Sequence, residues 1–362
     1  MKRVLTFIGT RPEIIKVSPI IPLLGERFRH ILVHSGQHYS YEMDAIFFQE
    51  LNLPTPDYTI AVGSAAHGEQ TARMLSRLEP ILQDESPAAI VVQGDTNTTL
   101  AGGLCAAKLG IPVVHLEAGC RSFNRTMPEE LNRVVVDHLS NLLLAPDEDA
   151  RTNLLNEGLP PDRIHITGSS VIDACLRSRT FATRSTILER LALTPGNYLA
   201  LTMHRAENTA PDRLPGIVAA LNELAQDYPI AFPIHPRTAA ALAQQGLTLV
   251  PQIHVCDPLG YLDTLHLVEN AQALLTDSGG LQEEAAALGT PAFILRNETE
   301  WRYLVESGVH LLIGNQYEGI LTGVRSALTP ERLRALRAIE APVVPGASKR
   351  VVDLIADYLE KL

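Results

Sequence analysis

Short, predominantly apolar runs recur along the chain at residues 4–8, 31–34, 90–93, 113–116 and 142–145, bounded by Gly, Asp or His and separated by segments of helical period. A strand with one solvated face alternates between apolar and polar residues, so runs that are continuous rather than alternating read as strands of a parallel sheet covered on both faces. The pattern restarts at residues 198–203, 231–234, 273–276, 292–295 and 311–313, with helices such as 215–228 and 281–288 between the strands. A strand at 164–167 leads into Gly168-Ser169-Ser170, which marks the change from one series to the next. The chain therefore reads as α/β with two Rossmann-like, doubly wound domains, residues 1–168 and 169–346. After the breaker from Pro342 to Gly346, the residues Val351, Leu354, Ile355, Tyr358 and Leu359 form one helical face. That helix, from about residue 347 to 362, is expected to pack back on the first domain.

Composition narrows the picture. At 362 residues the chain exceeds what one core usually serves, and 46% apolar residues suffice for two ordinary globular cores. The formal net charge of -11 argues against a nucleic-acid partner, which clustered Lys and Arg would hold, so an anionic ligand has to be gripped locally. Cys105, Cys120, Cys175 and Cys256 lack CxxC spacing, which fits unpaired thiols in a reducing compartment better than disulfides or zinc. The apolar run at 4–8 is too short for a signal peptide, and no stretch approaches the roughly 18 apolar residues of a spanning helix. The expectation is a cytoplasmic protein with no membrane partner.

In open parallel sheets ligands sit at the carboxyl ends of strands, so the residues just after each run carry the chemistry. Gly9-Thr10-Arg11-Pro12-Glu13-Ile14-Ile15-Lys16 follows the first strand. Pro12 suits a first helical turn, whose free amides, with Arg11 and Lys16, would face an anion. Asp95 and Glu117 follow neighbouring strands and should emerge side by side. Glu129 and Glu130 open a helix, where a carboxylate is also favoured by the helix dipole alone. In the second half His204 stands after the first strand, where it can donate to phosphate or act as an acid, while His235 reads as a hydrogen-bonded histidine at the sheet rim. Neither has metal-binding spacing, and no other metal cluster stands out. Thr276-Asp277-Ser278-Gly279-Gly280-Leu281-Gln282-Glu283-Glu284 joins a strand to a helix through two glycines, a geometry that suits a diphosphate. Glu284 is placed to accept from ribose hydroxyls, whereas Glu283 reads as helix-start charge. No GxGxxG follows a strand, so a bound nicotinamide cofactor lacks its usual cradle. The residues point to chemistry on a nucleotide sugar without a cofactor.

The segments GTRPEIIK (9–16), QGDTNTTLA (93–101), HLEAGCRS (115–122), MPEELNR (127–133), MHRAEN (203–208) and TDSGGLQEEAAALGTP (276–291) together closely resemble the non-hydrolysing UDP-N-acetylglucosamine 2-epimerases. The resemblance covers the chain from its start to about its end. It implies the glycosyltransferase-B arrangement of two domains facing a central cleft, a homodimer, and reversible conversion of UDP-N-acetylglucosamine to UDP-N-acetylmannosamine for surface-polysaccharide precursors. Carried over residue by residue, it makes Asp95, Glu117 and Glu129 the acid/base set and puts His204 on the departing phosphate. Arg11, Ser278, Gly279, Gly280 and Glu284 would hold UDP, and Lys16 would tune Asp95 or Glu117. Gln37, Arg73, Glu130, Arg205 and His235 match a regulatory second UDP-sugar site found in bacterial members.

The chain departs from the family pattern at Ser40, which stands where a longer glutamine is expected, and at Trp301, which replaces a nucleotide-binding arginine. Leu259 and Thr264 also differ from the expected uridine-side residues. The rival readings are an epimerase of a modified sugar such as UDP-2,3-diacetamido-glucuronate, and the hydrolysing type that releases N-acetylmannosamine and UDP. More distant rivals are a glycosyltransferase of the same fold and a UDP-sugar sensor without catalysis.

Overall fold

A computed structural model describes residues 1–37 and 47–362; Ser40 lies outside the described residues. The chain divides into two compact units, Met1–Ala174 with Val344–Leu362, and Cys175–Val343. The division falls inside the helix Ser170–Ala182. All four cysteines are free thiols. Among the described residues no helix is long and apolar enough to cross a membrane.

In the first unit the described strands are β1 (Arg3–Ile8), β2 (Arg29–His34), β3 (Tyr58–Thr59), β4 (Ala89–Gln93), β5 (Val113–Leu116), β6 (Leu142–Ala145) and β7 (Ile164–Ile166). They form one parallel sheet in the order β3-β2-β1-β4-β5-β6-β7. Strands β4, β5 and β6 are buried at every position, which is why their sequences are apolar apart from Gln93 and His115. On one face, the helices His67–Glu85 and Asn97–Lys108 seal a core of Leu5, Phe7, Ile90, Val92, Met74 and Leu78. The terminal helix Ala347–Glu360 buries Val351, Val352, Ile355 and Leu359 and packs against the helix Ile20–Arg27. Asp173 fastens its start, accepting from the amides of Gly346 and Ser348 at 2.6 Å each.

The second unit repeats the plan with β8 (Leu199–Thr202), β9 (Ile230–Pro233), β10 (Ile253–Cys256), β11 (Ala273–Thr276), β12 (Ala292–Ile294) and β13 (His310–Leu312), ordered β10-β9-β8-β11-β12-β13. Sequence periodicity missed β3 and β10 for the same reason. Each is a short edge strand with partly exposed positions, so neither carries the fully apolar signature.

In both sheets the strand order reverses once, between β1 and β4 and between β8 and β11. Crossover helices leave in opposite directions at such a point, opening a crevice beyond the strands' carboxyl ends. The loops after β1, β4, β8 and β11 therefore occupy each unit's natural ligand position.

Candidate active site

At the first switch point, two acids emerge on adjacent strands. Gln93 of β4 pairs with Leu116 of β5, so Gly94-Asp95 and Glu117 leave the sheet as neighbours. Glu117 has φ of 63°, a conformation uncommon for a residue with a side chain and often held at functional sites. Its carboxylate accepts from Lys16 Nζ at 2.7 Å. Burial works against the lysine's charge, but Glu117 and Asp95 outweigh that cost and raise its pKa, so the ammonium persists through neutral pH. Asp95 pairs with Arg133, which also donates to Glu130 at 3.1 Å. Asn132 donates to the Asp95 carbonyl at 2.9 Å. Asp95, Glu117, Lys16 and Arg133 thus form one half-buried cluster of alternating charge. Arg133 belongs to a motif identified in the sequence but was given no role there.

Glu129 is the second residue of the helix Pro128–Leu139 and is partly exposed. Glu130 is turned inward and 3% exposed. It accepts from the amides of Ser122 and Phe123 at 2.9 Å each and from the Ser122 hydroxyl at 3.0 Å. Burial opposes its charge, but these donors and Arg133 prevail and lower its pKa. The guanidinium of Arg11 lies 4.5 Å from the centre of the Phe47 ring.

The turn after β1 is less open than its sequence suggests. Glu13 is 3% exposed, and its Oε2 takes the Gly9 and Thr10 amides at 2.9 and 2.7 Å. Its other oxygen accepts from the Thr96 hydroxyl at 2.7 Å, tying this turn to the Asp95 loop. Amides expected to face an incoming anion are thus partly spent on the protein's own carboxylate. Burial raises the Glu13 pKa against the lowering effect of these donors. Gln37 accepts from the Thr98 hydroxyl at 2.7 Å, and Arg73 pairs with Glu69 on its own helix.

At the second switch point, Asp277 follows β11 fully buried and organises the loop after β8. It accepts from the amides of His204 (3.0 Å) and Arg205 (2.9 Å) and lies 3.1 Å from His204 Nδ1. Burial penalises its charge, yet these donors carry the pKa below the ordinary value. The rings of His204 and His235 are 5.6 Å apart, and His235 Nδ1 caps its helix by accepting from the Arg237 amide at 3.1 Å. Burial, reinforced by the neighbouring charges of His204 and Arg237, lowers the His235 pKa.

The helix Gly280–Leu288 begins after Gly279 without a side-chain cap, its Gln282 amide donating back to the Gly279 carbonyl at 3.2 Å, and a helix start of this kind turns amides toward an anion. Trp301 Nε1 donates to the Gly279 carbonyl at 2.8 Å, and Arg205 and Arg296 converge on Glu300 at 3.3 and 2.6 Å. Ser278 and Gly280 flank this turn, and Glu284 lies one turn into the helix, 8% exposed. Glu283 is the first-turn acid that its position in the sequence suggests, and it is buried. It is 2% exposed and faces the Tyr303 hydroxyl at 3.5 Å.

The family model described as UDP-N-acetylglucosamine 2-epimerase matches residues 24–356. A UDP-N-acetylglucosamine 2-epimerase of Methanocaldococcus jannaschii is 45% identical over 336 residues, spanning 90% of this chain and 92% of its own. A crystal structure of that organism's enzyme with UDP-GlcNAc and UDP covers 99% of this chain and 100% of its own at a TM-score of 0.84 and 43% identity. A UDP-2,3-diacetamido-2,3-dideoxy-D-glucuronate 2-epimerase of Pseudomonas aeruginosa is 42% identical over 366 residues, 99% of this chain and 100% of its own. The fold alone extends to the calicheamicin glycosyltransferase CalG4, with a TM-score of 0.59 at 13% identity over 100% of this chain and 99% of its own.

Proposed function

The chain belongs to the UDP-N-acetylglucosamine 2-epimerase family, and from that premise we propose that it interconverts UDP-N-acetylglucosamine and UDP-N-acetylmannosamine by inverting the carbon that bears the acetamido group. The observation that carries the reading is the pair of carboxylates, Asp95 and Glu117, presented beside Lys16 and Arg133 at a switch point of the sheet.

The C2 hydrogen is not next to a carbonyl, so a carboxylate cannot remove it directly. The C1–O bond breaks first and its electron pair leaves with UDP. The cationic character left at C1 acidifies the C2 hydrogen, a carboxylate takes that proton, and 2-acetamidoglucal results. The diphosphate oxygen then re-adds at C1 while an acid delivers a proton to the opposite face of C2. Two faces need two groups, which Asp95, Glu117 and Glu129 supply. UDP has to be retained between steps, which the uncapped helix start at Ser278, Gly279 and Gly280 supports. His204 protonates or steadies the departing phosphate, Arg11 adds charge, Glu284 takes the ribose, and Lys16 sets a positive charge against Glu117 and Asp95.

Incubation with UDP-N-acetylglucosamine in deuterated water is the direct test. NMR should show deuterium entering C2 and the manno product still bearing UDP. Release of free N-acetylmannosamine would replace this reading with the hydrolysing one. Asp95→Asn and Glu117→Gln should each lower turnover by about a thousandfold with UDP binding kept, because the two groups of residues serve different steps. Undiminished turnover in either variant would remove these acids from the mechanism.

The full-length similarity to the Pseudomonas enzyme, together with Trp301, favours one second reading, a diacetamido-glucuronate UDP-sugar as substrate. The ratio of kcat/KM for the two sugars decides. As finer proposals, the protein is a cytoplasmic homodimer, and Gln37, Arg73, Glu130, Arg205 and His235 serve a regulatory second UDP-sugar. Light scattering tests the dimer, and sigmoidal rate curves test the regulation.

A further inference from the structure

His115 lies inside β5, fully buried, in a segment whose apolar pattern marks it only as strand. Its Nδ1 is 2.6 Å from Asp137 Oδ1 and its Nε2 is 2.7 Å from the Gly94 carbonyl oxygen. A carbonyl can only accept. The second Asp137 oxygen accepts from Arg121 Nη2 at 2.7 Å and from the Gly119 amide at 3.1 Å, so this carboxylate too is an acceptor. A neutral imidazole has one N–H, and only the imidazolium satisfies both contacts.

These bonds reach the loops of both proposed acids. Gly94 directly precedes Asp95, and Gly119 stands two residues after Glu117. Arg121 is pinned by Glu157 at 2.7 and 2.8 Å and by the Cys120 carbonyl at 2.9 Å. The cluster of His115, Arg121, Asp137 and Glu157 balances its charges, as buried ions must. We propose that His115 is a positioning residue, a doubly donating imidazolium that, through Gly94 and Asp137, sets the loops presenting Asp95 and Glu117 to the substrate. The proposal rests on the epimerase reading above. The titration directions agree with it. Burial opposes the charge of His115, yet Asp137 and the Gly94 carbonyl raise its pKa against both burial and Arg121, and the Asp137 pKa is lowered.

Two variants of His115 separate positioning from packing. An asparagine amide reaches roughly where Nδ1 sits and keeps the bond to Asp137, whereas a glutamine amide reaches where Nε2 sits and keeps the bond to Gly94. His115→Asn should lower kcat about a hundredfold with KM and UDP binding unchanged, the scale of a small misplacement of catalytic groups. His115→Gln should recover about tenfold of that loss. Equal losses in the two His115 variants, or wild-type kcat in His115→Asn, would overturn the proposal. If His115→Asn does not fold, Asp137→Asn takes its place with the same expected loss, and wild-type kcat there overturns it equally. If neither folds, His115→Gln with wild-type kcat at an unchanged melting temperature overturns it. Absence of C2 exchange in the wild-type protein would defeat the epimerase reading instead, so the two failures are distinguishable.

Discussion

Single residues in this protein work at contacts that nearby sequence does not announce. Glu13 looks like a helix-start acid but is a buried acceptor for two amides and the Thr96 hydroxyl. Gly119 shows how narrow such tolerances are. Its φ is +83°, and a Cβ there would lie 2.2 Å from the Ala150 carbonyl oxygen, a backbone atom that cannot step aside. Gly119→Ala should therefore cost at least about 3 kcal/mol, combining the strained conformation with the overlap. Urea denaturation measures this, and a loss under about 1 kcal/mol would show that the loop relaxes freely.

Among elements, the start of the helix Gly280–Leu288 and the terminal helix carry the clearest expectations. Trp301 contributes an indole N–H to the Gly279 carbonyl and packs edge-on to Tyr303, with ring centres 6.2 Å apart. Trp301→Phe keeps the ring contact and removes the donor. UDP binding by calorimetry should weaken about threefold to tenfold, the worth of one hydrogen bond. An unchanged affinity would mean that the turn holds its shape without the indole. The terminal helix buries four aliphatic side chains on the first unit, and covering each contributes about 1.5–3 kcal/mol. A chain ending before Ala347 loses a sum comparable to a whole domain's stability, so it should not accumulate as soluble, cooperatively unfolding protein. Expression of that truncation with a native melting curve would contradict this account.

For the whole molecule, acid sensitivity is the expected global property. His30 and His34 in the first unit are lowered by burial to about 4, with Asp57 working in the opposite direction on His30. In the unfolded chain both titrate near 6.5, so between about pH 6.5 and 4 the unfolded state binds more protons and stability rises with pH. Each histidine contributes at most about 3 kcal/mol, fully present above 6.5 and lost as pH falls toward 4. Urea midpoints at pH 7.5 and 4.5 should differ markedly, and His34→Gln should flatten part of that slope. Equal midpoints would mean that these rings are solvated in the folded protein.

What could be read in advance was what repeats in one dimension. Burial on both sheet faces favours apolar residues at most strand positions, so the runs at 90–93, 113–116, 198–203 and 273–276 announce parallel strands, and the ends of those runs mark where Asp95, Glu117, His204 and Ser278 stand. The strands β3 and β10 escaped because an edge position relaxes that demand. Only the tertiary structure could pair Lys16 with Glu117, 101 residues away, join His115 to Gly94 and Asp137, or bury Glu283 against Tyr303. A polar side chain looks the same in sequence whether it meets water or a partner. Which of the two it meets depends on how distant segments fold together, and with it the charge that side chain carries.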